Sequence, residues 1–204
     1  KLKGTLSFAL RTTFLIMLPA SVGLCMLGVP IIKLLFQRGE FTAYSTDITQ
    51  SALFFYTFGL CAYSGVKLLV TCFYSMQDTI TPVKTALFAV IVNVVLNLIL
   101  MWPLKLGGLA LATSISAASN FIILYVILKK RIGHLGTREL VDSFLRILLA
   151  SIVMVVALKL LSAYAFSVKG LFISIVVGAI VFIVSAYILK VKGMRSALAW
   201  ILKR

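Results

Sequence analysis

Carboxylates are nearly absent. Glu40, Asp47, Asp78, Glu139 and Asp142 are the 5 acids in 204 residues, and His134 is the single histidine. A membrane transferase or phosphatase would gather such groups at one interface. Here they are scattered over three connections, which argues against an enzyme. The 3 cysteines, Cys25, Cys61 and Cys72, all fall inside apolar runs without paired spacing, so neither a disulfide framework nor a thiolate metal site is implied. Charged residues of both signs make up only 12% of the chain, about half the share usual in soluble domains. The net charge of +15 comes without a basic helix or aromatic-basic interleaving, so nucleic acid is not a partner. Strict alternation of polar and apolar residues is also missing, which excludes a membrane β-barrel.

What is present is long apolar sequence. The hydrophobic fraction is 62%, well above the roughly 45–50% of soluble domains. Spanning a bilayer takes about 20 apolar residues, and six runs qualify: Thr12–Leu35, Ile48–Met76, Val83–Trp102, Gly108–Leu128, Phe144–Tyr164 and Gly170–Leu189. The fold class is therefore an all-α integral membrane protein with six transmembrane helices. Lys and Arg set the orientation. Fourteen of the 20 fall on the side of the N-terminus, five on the other, and Lys67 stands inside a span, so both ends are expected in the cytoplasm. The chain begins at Lys1 without a methionine, and its first apolar run is too long for a signal peptide, so a fragment of a longer protein is expected.

The second span carries the most unusual residue. A lysine at mid-membrane costs about 2.5–3.5 kcal/mol on insertion scales, so Lys67 must snorkel, pair or face water. Tyr56, Tyr63, Lys67, Thr71 and Tyr74 recur at helical spacing and form one polar stripe, opposite Leu, Val, Phe and Cys. Such a stripe suits a path for a polar substrate; a snorkelled or internally paired lysine is the structural alternative. Asn93 and Asn97 share one face of the third span, and Thr113, Ser116 and Asn120 share one face of the fourth. These amides and hydroxyls read either as interhelical hydrogen bonding or as oxygen ligands for Na⁺, with Asn93, Asn97 and Thr113 as the metal-site candidates. Small residues at four-residue spacing, Gly108-Ala112-Ser116 and Ala110-Ser114-Ala118, predict close helix packing.

Other features are plainer. Pro19 and Pro30 fall on one face of the first span and read as a bend or a gate. Arg38 and Glu40 read as a solvated pair in the Phe36–Thr42 loop. Pro103–Gly108 reads as a short connection, and Lys129–His134 as a basic loop anchoring topology, with His134 solvated. The last two spans read as almost free of polar interior residues, and the MRSALAWILKR end as an amphipathic surface tail.

Three segments carry a resemblance: FQRGEFT at Phe36–Thr42, GVKLLVTCFYSMQDTITPVK at Gly65–Lys84 and GGLALATSIS at Gly107–Ser116. In order and spacing they resemble the MurJ/MviN family of lipid II flippases, within the multidrug/oligosaccharidyl-lipid/polysaccharide exporter superfamily. The resemblance implies helices nine to fourteen of a fourteen-helix transporter of the bacterial cytoplasmic (inner) membrane. Residues 1–131 would be the last four helices of the second lobe, and 132–204 an extra helix pair offering a groove to a polyprenyl tail. It further implies a polyprenyl pyrophosphate-linked substrate moved by alternating access, with membrane lipids and a missing N-terminal lobe as partners; apart from Na⁺ as the coupling ion that the Asn93, Asn97 and Thr113 oxygens suggest, no cofactor is expected. Lys67, Tyr63, Thr71 and Tyr74 are then the substrate-binding candidates. A polysaccharide-lipid flippase, a cation-coupled exporter of the same superfamily and an inactive truncated membrane protein are the alternatives.

Overall fold

The computed structural model describes residues 2–133, 136–161 and 165–191. Within them lie six helices and no strand: α1 (Leu2–Phe36), α2 (Ala43–Ser75), α3 (Ile80–Leu104), α4 (Leu106–Ile132), α5 (Thr137–Leu161) and α6 (Val168–Ile188). All six are long and apolar enough to cross a membrane. Helices answer the absence of water in the hydrocarbon by bonding every interior backbone group within the segment. An even number of spans returns the two ends to one side. His134 and the tail after Gly193 lie outside the described residues.

The helices outrun the apolar stretches. α2 begins before Ile48, where Thr42 caps it by accepting from the Ser45 amide. α1 begins well before Thr12, because Lys3 and Arg11 place their charge among headgroups while the backbone stays helical. For the same reason Lys129, Lys130 and Arg131 form the last turn of α4 rather than a loop, and Gly133 (φ 83°) ends the helix. The Pro103–Gly108 connection shrinks to Lys105 alone, at φ 50°. α1 runs unbroken through Pro19 and Pro30. Arg38 and Glu40 are exposed and form no ion pair with each other; Gly39, at φ 57°, makes the turn there.

α4 packs between α2 and α3, α2 between α4 and α1, and α1 carries α5 and α6 on its other side. Small residues set the spacing. Gly59 of α2 lies against Ser114 of α4, whose hydroxyl donates to the Phe55 carbonyl at 2.7 Å. Gly108 of α4 lies against the backbone of Leu100 in α3. One apolar core joins Leu6 and Leu10 of α1 to Leu69 and Phe73 of α2, Leu124 and Leu128 of α4 and Leu140 of α5. The other joins Leu15, Leu18 and Leu27 of α1 to Ile147, Met154 and Leu158 of α5 and Phe182 of α6.

The interiors of α5 and α6 are less smooth than their sequences suggest, since Ser143, Ser151, Ser174 and Ser185 are buried. Ser151 and Ser174 donate to carbonyls one turn back, of Ile147 (2.9 Å) and Gly170 (2.8 Å), which satisfies the hydroxyl without a neighbouring helix. Two contacts fix the start of α5 to the rest. Arg11 pairs with Glu139 at 2.6 Å, and the hydroxyls of Tyr125 and Thr137 meet at 2.9 Å.

Candidate functional site

α2 divides cleanly into two faces. Gly65, Leu69, Cys72 and Phe73 turn into the bundle, and Phe73 and Leu69 are fully buried. Tyr56, Tyr63, Lys67, Thr71 and Tyr74 all lie on the exposed side, as their spacing predicts. The Lys67 ammonium sits over the Tyr63 ring, 5.1 Å from its centroid, and forms no ion pair among the described residues. A cation–π contact of this kind steadies the charge without neutralising it. Thr71 donates to the Lys67 carbonyl at 2.9 Å, leaving its oxygen lone pairs on the same face. The stripe is thus a row of phenols and a hydroxyl around one uncompensated cation.

The α3–α4 seam brings the three metal-site candidates together. Asn97 Nδ2 donates to Asn93 Oδ1 at 3.0 Å, and Asn93 Nδ2 reaches Thr113 Oγ1 and Ser116 Oγ, both at 3.4 Å. The amides therefore do link the two helices. The Oδ1 atoms of Asn97 and Asn120, however, are enclosed without a donor.

Two features escape a reading of the spans one at a time. An apolar groove of about 480 Å³ runs between Pro19, Gly23 and Leu27 of α1, Leu158 of α5, and Gly178 and Phe182 of α6. The small residues Pro19, Ala20 and Gly23 were its signal, and they mark α1 as one wall. The second is the elbow between α2 and α3. Asp78 accepts from the Thr81 amide (2.9 Å) and hydroxyl (2.6 Å) and pairs with Arg131 of α4 at 2.5 Å. Arg131 also stacks over Phe73, 5.8 Å from the ring centroid. The Thr81 hydroxyl and amide, then Arg131, hold the Asp78 carboxyl below the ordinary carboxylate range. Gln77, at φ 59°, makes the bend.

A family model described as "Lipid II flippase MurJ" matches residues 1–178. The chain belongs to that family. A probable lipid II flippase MurJ of Vibrio cholerae is 38% identical over 154 residues, 76% of this chain and 29% of that protein. One from Rickettsia prowazekii is 41% identical over 117 residues, 57% of this chain and 23% of that protein. The chain thus spans less than a third of the length of these relatives. A solved lipid II flippase MurJ in an inward closed conformation superposes with a TM-score of 0.78 at 28% identity, covering 92% of this chain and 39% of that one. Membership, with six spans, makes this a multi-pass protein of the bacterial cytoplasmic membrane.

Proposed function

We propose that the chain is part of a lipid II flippase, supplying one wall of a cavity that holds the substrate's pyrophosphate and a groove that receives its polyprenyl tail. It works as a transporter by alternating access and catalyses no covalent step. Residues 1–131 act as the cavity wall, completed by a lobe that other flippases of the family carry, and residues 132–204 act as the tail pair. The observation that carries this reading is Lys67, an uncompensated ammonium on the open face of a membrane helix, held over Tyr63. A cation kept unpaired at a cost of several kcal/mol in the bilayer has a use for its charge. Pyrophosphate supplies the matching anion, and Tyr63, Thr71 and Tyr74 supply hydroxyls beside it.

Na⁺ as a coupling ion fits the residues present. Asn97 offers an enclosed amide oxygen without a donor, and Thr113 a hydroxyl oxygen on the same seam, within reach of Asn93. Oxygen ligands are what a small hard cation takes, with a carboxylate to come from outside these two helices, and the ion would supply the driving force for the conformational cycle. Asn93 holds the Asn97 amide in place by accepting from it.

Lys67→Met in the transporter tests the central claim. It keeps side-chain length and removes the insertion cost, so membrane levels should be normal. Lipid II binding should fall at least tenfold, which is about 1.4 kcal/mol, and complementation of a flippase-depleted strain should be lost, with Lys67→Arg retaining part of both. Full complementation by Lys67→Met would overturn the reading.

A further inference from the structure

The α3–α4 seam is short of hydrogen-bond donors. The Thr113 hydroxyl spends its proton on the Leu109 carbonyl (2.8 Å), and the Ser116 hydroxyl spends its own on the Thr113 carbonyl (2.9 Å). Asn97 Nδ2 is committed to Asn93 Oδ1, and Asn93 Nδ2 to the two hydroxyl oxygens. The two hydroxyl oxygens therefore offer lone pairs to the seam. Two amide oxygens, Asn97 Oδ1 and Asn120 Oδ1, are enclosed with no donor at all. A buried carbonyl left so is destabilising, and hydrocarbon offers no water to relieve it. A leucine at either position would carry no such cost.

The two oxygens lie on opposite sides of Asn93. α3 starts and α4 ends at the Asp78–Arg131 pair, so the helices are antiparallel and that elbow marks one end of the seam. Asn97 lies one turn from Asn93 away from the elbow. Asn120 lies one turn from Ser116 towards it. Thr113 and Asn120 are seven residues apart, about 10 Å along the axis, while hard cations hold oxygens at roughly 2.0–2.6 Å. One ion therefore cannot touch both.

We propose that Asn120 is a second cation station, in which its Oδ1 and the Ser116 oxygen hold a Na⁺ passing between the Asn97–Thr113 position and the elbow end of the seam. This rests on the Na⁺ reading of Asn93, Asn97 and Thr113 given above. The seam then carries a short file of oxygens with Asn93 between two stations. A single buried water would satisfy at most two acceptors.

The test uses purified protein in detergent, with NaCl exchanged for choline chloride at constant ionic strength. Thermal unfolding and the stoichiometry of ²²Na⁺ binding are both read. The unmutated protein should be stabilised by Na⁺ and bind two ions. Asn120→Leu should unfold in choline at the same or higher temperature, keep a Na⁺-dependent shift and bind one ion. If Asn120→Leu lowers the unfolding temperature equally in both salts and leaves the stoichiometry unchanged, Asn120 is interhelical packing and the second station is refuted. If Na⁺ neither binds nor stabilises the unmutated protein, the whole cation reading falls. If the shift disappears in Asn97→Leu while Asn120→Leu binds as many ions as the unmutated protein, only the second station falls. Should Asn120→Leu not fold, Asn120→Asp decides: an added charge at a true station lowers the Na⁺ concentration for half-maximal stabilisation at least tenfold, and an unchanged concentration overturns the proposal.

Discussion

Replacing Gly59 by alanine places one methyl group where α2 and α4 touch. A Cβ there would lie 2.7 Å from Ser114 Oγ, 2.9 Å from Ser114 Cα and 3.0 Å from Ser114 Cβ. The first of these atoms swings aside only by giving up its 2.7 Å bond to the Phe55 carbonyl. The second is backbone, so the helices themselves must separate. Overpacking of this kind costs about 1–3 kcal/mol, and the interhelical hydrogen bond in a membrane is worth about 0.6 kcal/mol. Alanine returns up to about 1 kcal/mol through its better helix propensity. The net expectation is a loss of about 0.5–2.5 kcal/mol, seen as a lower unfolding temperature in detergent. Ser114→Ala loses only the hydrogen bond and should cost under about 1 kcal/mol. Ser114→Gly combined with Gly59→Ala removes the Oγ and Cβ clashes but not the one with Cα, so the double variant should recover part of the loss, giving a favourable coupling in the mutant cycle. A Gly59→Ala protein as stable as the unmutated one, or a double variant with purely additive costs, would refute the close-contact account of this interface.

At the elbow, Asp78 is favoured as its charged form, so its contribution is fully present above the ordinary carboxylate range and lost as pH falls through its depressed folded value. Asp78→Asn should therefore unfold at a lower temperature than the unmutated protein at pH 7, and the gap should close towards pH 3; a gap independent of pH would show that the carboxylate's charge is not what stabilises the elbow. In the groove, a Cβ on Gly23 would meet nothing within 4 Å, so Gly23→Trp should fold normally while filling the space between α1, α5 and α6. It should weaken binding of lipid II with a full-length polyprenyl chain and leave a short-chain analogue unaffected, and equal loss for both would remove the tail from this groove.

The spans were readable because hydrocarbon demands long apolar helices, and the Lys67 stripe because residues three and four apart share a face. The ends of the helices were not, since apolar content stops at the headgroups while helical hydrogen bonding continues through Arg131 and back to Ala43. Pro103, Gly107 and Gly108 look like loop residues in sequence. In the fold Pro103 lies inside α3, and the two glycines admit neighbouring helices: Phe55 packs at Gly107 and the Leu100 backbone at Gly108. Arg131 is one of a run of basic residues that topology alone explains, so its pairing with Asp78 emerges only when α4 returns beside the start of α3. The groove was half visible: smooth α5 and α6 suggested it, but its third wall depends on which helix they pack against.

The single residue between α3 and α4 has a bearing on how the protein is made. Leu104 ends one helix and Leu106 begins the next, with Lys105 turning the chain at φ 50° and ψ −128°. With so little chain between them, the two helices leave the ribosome within one another's reach and enter the bilayer as a hairpin. Asn93 can therefore meet Thr113 and Ser116 before α5 is made, and these polar side chains need not face lipid alone. α3 packs almost wholly on α4, so the hairpin is already a finished piece when it reaches α2. Lys105, exposed at the tip, has a side chain long enough to reach the headgroups there.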